Sequence, residues 1–239
     1  MKITLTDAGK RFNREWIFRH VNYQFTNGHS YAIIGPNGSG KSTLLQLIAG
    51  SINPSEGKIG YDLITTGGQI SGITGNVSQD KPGQAIEGPG ENPDLKNQEY
   101  RLAEDQIYPY LSIAAPYLEV IEEMTFLEFL DFHKNFKPFL PGLDTEKIIE
   151  LVGLKKSSDK QIRYYSSGMK QRVKLAQAFF SNTLVLLLDE PCTNLDSDGI
   201  ELYHRLIADY CNKRLVIVSS NEIQEYRFCK EQIDIREYK

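Results

Sequence analysis

Short alternating runs of apolar and polar residues open the chain, KITLT near the start and VNYQF shortly after. A period of two is the pattern of strands with one face in a core, so residues 1–25 predict antiparallel strands. Residues 29–34 are a buried-strand candidate that runs directly into a glycine loop. Residues 41–49 then take helical spacing and stop at Gly50, a helix C-terminus signal. The segment NPSEGKIGYD predicts a turn and another strand.

Residues 62–107 change texture: LITTGGQISGITGNVSQDKPGQAIEGPGENPDLKNQ is rich in Gly, Pro, Asn and Gln. Its length exceeds a routine connection, which predicts a mobile surface insertion spanning 62–107. Beyond it, YPYLSI predicts a strand, and Thr125 with Glu128 fits a helix N-cap with a capping box. Asp144 predicts a second cap, for a helix whose apolar face (Ile148, Ile149, Leu151, Val152) ends at Gly153. A helix from Ser167, an apolar strand at 184–188, a helix from about Ser197, the strand LVIVS and a short terminal helix and strand follow. Strands alternating with helices imply a parallel sheet covered on both faces.

The 239 residues suit one large α/β domain, and 40% apolar residues can fill its core. A net charge of −4 gives no reason to expect nucleic acid or anionic lipid as a partner. Cys192, Cys211 and Cys229 form no CxxC pair and are odd in number, which points to a reducing compartment. The start MKITLTDAGKRF lacks the apolar run of a signal peptide, and no segment approaches the roughly 18 apolar residues of a membrane helix. A role at a membrane therefore needs another chain to supply the membrane part.

Chemistry enters with Gly35-Pro36-Asn37-Gly38-Ser39-Gly40-Lys41-Ser42-Thr43, which matches GxxxxGK[ST] between a predicted strand and helix. Glycines let successive backbone N–H groups curl round an anion, and the helix N-terminus adds its positive end. Lys41 is assigned to the β- and γ-phosphates of a nucleoside triphosphate and Ser42 to Mg²⁺. In TLVLLLDEP, a wholly apolar strand ends in two acids beside that loop. Asp189 is the expected magnesium partner, directly or through water, and Glu190 the candidate general base for the attacking water.

Between these motifs stands Tyr165-Ser166-Ser167-Gly168-Met169-Lys170-Gln171-Arg172. It resembles the signature of ABC-type ATPases, usually LSGGQ followed by a basic residue, Gln and Arg. Ser166 takes the place of the signature serine, Ser167 and Gly168 of its glycines, and the SSGMKQR form is similar to export-type ATPase subunits. Thr193-Asn194-Leu195-Asp196 resembles the family's dimer-crossing loop. Phe12 stands where relatives stack an aromatic on adenine, with Trp16 as a competitor and ordinary packing as the alternative for either. The resemblance implies a P-loop NTPase fold of the ABC ATPase type, α/β in class. An antiparallel β-subdomain and phosphate loop would occupy 1–61, a helical subdomain 116–181, and the rest of the core 182–239. It also implies ATP and Mg²⁺ as cofactors and head-to-tail pairing, as a homodimer or with a related subunit. Each Ser166 would then complete the other chain's site, and the pair would serve a separate transmembrane subunit from the cytoplasmic face of the cell membrane. A soluble ABC ATPase with an assembly or regulatory role is the competing reading. A phosphate-loop GTPase is disfavoured because no NKxD motif is present.

Two family residues are replaced. Where relatives carry a glutamine at the start of the helical subdomain this chain has Ala114 or Ala115, with Gln79 as the alternative alignment. Where they carry a histidine after the last core strand it has Ser220-Asn221. Asparagine's amide can still donate to a phosphate oxygen but cannot become cationic, so Asn221 is kept as a catalytic candidate and slow hydrolysis is expected.

Overall fold

A computed structural model of the chain describes residues 1–66, 69–70 and 98–239. Its strands are β1 (Lys2–Phe12), β2 (Glu15–Thr26), β3 (Ser30–Ile34), β4 (Glu56–Thr66), β5 (Gln69–Ile70), β6 (Gln98–Leu102), β7 (Leu111–Ala114), β8 (Val185–Asp189), β9 (Leu215–Ser219) and β10 (Glu231–Asp234). Its α-helices are α1 (Lys41–Ile48), α2 (Phe126–His133), α3 (Thr145–Leu151), α4 (Ser167–Phe180), α5 (Ser197–Tyr210) and α6 (Ile223–Tyr226). Among the described residues no helix is long and apolar enough to cross a membrane.

Two sheets organise the molecule. The first is antiparallel, in the order β2-β1-β4-β5, with β6 also paired to β4; the second runs β10-β3-β9-β8-β7, with all its pairings parallel. Every residue of β8 and β9 is buried. Their side chains divide by alternation: Val185, Leu187, Leu215 and Ile217 join one core with α1 and the antiparallel sheet. Leu186, Leu188, Val216 and Val218 join a second core with α2 to α5. Period-two geometry thus converts two unbroken apolar runs into the partition between two layers.

The helical segment follows its caps. Thr125 Oγ1 accepts from the Glu128 backbone N–H while Glu128 accepts from Thr125 N–H at 2.8 Å. Asp144 accepts from Lys147 N–H at 2.8 Å to start α3, and Gly153, at a φ of +74°, follows its end. Side-chain acceptors here satisfy N–H groups that the helix leaves unpaired.

The expected insertion at 62–107 is corrected at both ends. β4 continues to Thr66 and pairs antiparallel with β6 from Tyr61↔Leu102 to Thr65↔Gln98. Asp62, buried, takes 2.8 Å and 3.5 Å contacts from Arg101 and Lys2, and Leu102 and Ile107 enter the first core. The signal was Tyr100 alternating with Leu102 inside a polar stretch. Residues 67–68 and 71–97, with Gln79, lie outside the described residues. The strand expected over YPYLSI is also shorter, since residues Tyr108–Tyr110 form a 3₁₀ turn and β7 begins at Leu111.

Arg214 ties the parallel sheet to the end of α4. Its guanidinium donates to Phe179 O at 2.8 Å, to Ser112 Oγ at 2.8 Å, to Ala178 O at 3.4 Å and to Thr183 Oγ1. Burial pushes its pKa down to about 10, so it stays cationic at neutral pH and meets the negative end of α4. Arg214→Leu strands these buried acceptors and is expected to lower stability by about 2–4 kcal/mol in urea denaturation. A loss below about 0.5 kcal/mol would show that the cluster contributes nothing net.

Candidate functional site

The site lies where the strands of the parallel sheet end. β3 runs into the loop 35–40, whose Gly35, Gly38 and Gly40 have φ of +146°, +75° and +100°. A Cβ on Gly40 would meet Ile17 Cγ2 at 2.4 Å, so the loop's turn into α1 requires glycine both conformationally and sterically. Lys41, buried, donates from Nζ to Gly35 O at 2.9 Å and to Pro36 O at 3.2 Å. Asn37, Gly38, Gly40, Lys41, Ser42, Thr43, Ile17 and Glu190 line one cleft of about 210 Å³. Backbone N–H groups at a helix start and an ammonium make this cleft a seat for an anion with several negative oxygens.

Asp189 ends β8 and is almost fully buried. Burial pushes its carboxyl up from the ordinary value, opposed by the Ser219 and Ser42 hydroxyls and the Lys41 charge. Its Oδ1, like the hydroxyl of Ser39, is buried without a hydrogen-bond partner. A buried acceptor of this kind calls for a cation or donor. Asp189 and Ser42 therefore fit Mg²⁺ as hard oxygen ligands, with phosphate oxygens left to supply others. Glu190 follows with a φ of +42°, and its backbone N–H donates to Ser219 O at 2.9 Å. A glutamate held in the left-handed region is strained, and such strain concentrates at functional positions.

The signature segment sits elsewhere in the same chain. Ser166 caps α4, accepting from Met169 N–H at 3.2 Å. Ser166, Ser167, Gly168, Met169, Arg172, Asn194 and Asp196 line part of a separate cleft of about 500 Å³. No lining residue is common to this cleft and the phosphate-loop cleft. α4 nonetheless holds the catalytic edge: Gln171 Nε2 donates to Pro191 O at 2.8 Å, Arg172 to Asp196 at 3.1 Å, and Lys174 Nζ to Pro116 O at 2.9 Å.

The remaining candidates are placed as follows. Phe12 is 50% exposed at the end of β1, with Lys10 Nζ 5.3 Å from its ring centroid. Trp16 is flanked by the Arg19 and Arg11 guanidiniums at 4.2 Å and 5.4 Å. Neither ring lines the phosphate cleft. Ala114 and Ala115 are buried at the end of β7, and Asn221 is exposed just beyond β9. Cys192 is buried, and burial with the neighbouring Glu225 raises its thiol to about 12, which leaves a packing group and no nucleophile.

Sequence reasoning missed Glu225. It is buried in α6, and Oε1 accepts from Cys192 N–H at 2.7 Å, just after Glu190 and Pro191. Tyr203 OH donates to its carbonyl at 2.6 Å. The polar segment NEIQEY gave no signal for it, because its burial arises only when α6 packs behind the 190–193 turn. Burial raises its carboxyl, against hydrogen bonds from Ser220 and Cys192. A raised acid pKa means that the charged form costs folding stability at neutral pH, a cost relieved as the group protonates. Glu225→Gln keeps the acceptor for Cys192 and is expected to raise Tm at pH 8 by about 2–4 °C, about 1 kcal/mol. That gain should shrink as pH falls through the raised pKa. A gain that grows on acidification would contradict the assignment.

Comparisons with known proteins give the following. The family model described as ABC transporter matches residues 18–193. The bacitracin transport ATP-binding protein BcrA of Bacillus licheniformis is 26% identical over 238 residues, covering 98% of this chain and 66% of that protein. The spermidine/putrescine import ATP-binding protein PotA of Fusobacterium nucleatum subsp. nucleatum is 29% identical over 200 residues, covering 82% of this chain and 43% of that protein. This chain thus spans less than two thirds of the length of either relative. A dimeric bacterial ABC transporter cassette superposes with a TM-score of 0.69 at 21% identity, over 98% of this chain and 94% of that one.

Proposed function

Since the chain belongs to the ABC transporter family, we propose that it is an ATP-binding and ATP-hydrolysing subunit that works as a head-to-tail pair. The observation that carries this reading is the division of the polar machinery. The phosphate loop with Glu190 and the signature with Ser166 line different clefts of one chain. Facing a second copy, or a related subunit, brings each Ser166 to the other's phosphate loop. Gly35 to Thr43 then hold the triphosphate, and the N–H groups around Ser166, Ser167 and Gly168 meet its terminal phosphate from across the interface. Ser42 and Asp189 would hold Mg²⁺, which would supply positive charge toward the phosphates, while Glu190 takes the proton of the attacking water. Phe12, exposed at the end of β1, is the candidate to meet adenine, on the resemblance alone.

The same pair drives a separate membrane-spanning partner from the cytoplasmic side, and export is the direction we assign. The SSGMKQR form supports it. On the favoured alignment, with Gln79 as the alternative, the family's glutamine position is filled by the buried Ala114 or Ala115 and its histidine position by the exposed Asn221, so two helpers of Glu190 are weakened or lost.

Turnover by the purified chain is therefore expected below about 10 per second, the median for enzymes. Glu190→Gln and Lys41→Ala should each reduce phosphate release to background, and only Lys41→Ala should also abolish binding of a fluorescent ATP analogue. Hydrolysis that survives Glu190→Gln would remove Glu190 as the base, and tight ATP binding by Lys41→Ala would remove the loop as the site.

A further inference from the structure

β3 and β9 lie side by side and parallel, and their last residues reach the phosphate loop and the backbone of Glu190. At the opposite edge of the sheet their first residues, with Ser30 and Val216, border a second cleft of about 400 Å³. It shares no lining residue with the phosphate-loop cleft. The five residues of each strand hold the two apart by about 15 Å. Ile207, Val216 and Phe228 give the second cleft an apolar wall, and Arg214, Arg227 and Lys230 give it positive charge. Among the described residues no carboxylate lines it, although the chain as a whole carries a net charge of −4.

The three cations are held without a counter-ion. Arg214 is buried and cationic at neutral pH, and its acceptors, Phe179 O, Ala178 O, Ser112 Oγ and Thr183 Oγ1, are all uncharged. The end of α4 offers it only about half an elementary charge, and its Nε is buried with no partner. Arg227 Nη2 donates to His204 Nδ1 at 3.3 Å, and His204 Nε2 bonds to Gln224 O at 2.9 Å. A carbonyl can only accept, so the imidazole proton sits on Nε2 and Nδ1 is free to receive Arg227. A neutral ring therefore steadies this guanidinium and leaves its other N–H groups available. Lys230 is tied beside β3 by its backbone N–H, which donates to Ser30 O at 3.1 Å. Among the described residues no carboxylate pairs with any of the three. The adjacent Glu231 is engaged by Tyr23 OH at 3.0 Å and His29 at 3.3 Å. A buried cation without a counter-ion is costly, and an anion entering the cleft offsets that cost.

We propose that this cleft is a second binding site, separate from the nucleotide's, for a small organic anion: a carboxylate or phosphate group carried on a compact apolar body. The planar fork of Arg227 suits either oxyanion and the Lys230 ammonium adds a point charge, while the buried Arg214 contributes to the same positive field. The apolar body covers Ile207, Val216 and Phe228. The volume falls in the range of about 300–1,000 Å³ that small-molecule sites occupy. Nothing in this inference depends on the ATPase reading.

The test uses the native chain labelled with ¹³C-histidine, at fixed pH and ionic strength. The His204 ring signal is identified by its loss in His204→Gln and followed while four probes are titrated: benzoate, phenyl phosphate, neutral benzamide and inorganic phosphate. Benzoate or phenyl phosphate should shift it with a Kd below about 5 mM. A response to benzoate alone identifies a carboxylate ligand, to phenyl phosphate alone a phosphate ligand, and to both the shared oxyanion chemistry. Benzamide and inorganic phosphate should each bind more weakly by at least about fivefold, as should the better anion to a chain with the exposed pair Arg227→Gln and Lys230→Gln. Both aromatic anions failing to reach that affinity overturns the proposal. So does benzamide binding as well as the anions, which removes the role of charge, or inorganic phosphate doing so, which removes the apolar body. A double variant that keeps its affinity overturns it as well, and displacement of the anion by saturating ATP with Mg²⁺ overturns the separateness of the site. A native chain that fails to bind ATP leaves this inference standing and overturns the ATPase reading alone.

Discussion

Lys41 and Asp189 are buried groups of opposite charge at the end of an otherwise apolar sheet, and the site depends on them. Removing two ions from water is costly, and geometry must return what desolvation takes. Here the ammonium is spent on two loop carbonyls, and the carboxylate keeps one oxygen without a partner. The arrangement makes sense only for a group that brings its own charges, negative toward Lys41 and positive toward Asp189. A phosphate with its metal ion supplies both. Every residue of β8 and β9 is buried, so the strand that delivers Asp189 to the site is covered along its whole length.

The same economy explains the position of α4. A short segment after Ser166 sends Gln171 to Pro191, Arg172 to Asp196 and Lys174 to Pro116. One helix therefore touches the turn after Glu190, the loop expected to cross the pair, and the stretch that follows β7. The cap residue that faces outward and the three polar side chains that face inward belong to the same rigid element. The segment that begins at Ser166 is thus tied by hydrogen bonds to all three stretches.

Much of this was legible in the residues, for identifiable reasons. The phosphate loop, the acidic strand end and the caps at Thr125, Asp144 and Ser166 are local: a few adjacent residues set the backbone, and tertiary context only confirms it. The parallel sheet followed from two uninterrupted apolar runs, and the family match agrees with the resemblance carried by SSGMKQR. What escaped was non-local. The pairing of β4 with β6 joins strands separated by a long polar stretch, and the Asp62–Arg101 contact that pins it spans 39 positions. Glu225 reads as an ordinary polar position because its significance comes from what packs against it. Phe12, expected at adenine from the resemblance alone, is exposed at the end of β1 and does not line the phosphate cleft.

The central claim is that one chain holds only half of each ATP site. Its most direct test is the mass of the Glu190→Gln chain by light scattering, with and without ATP and Mg²⁺. The account predicts a monomer alone, a species of twice the mass with ATP, and a return to monomer when Ser166→Arg is added. A chain that stays monomeric at saturating ATP, or a dimer indifferent to Ser166→Arg, would contradict the shared site.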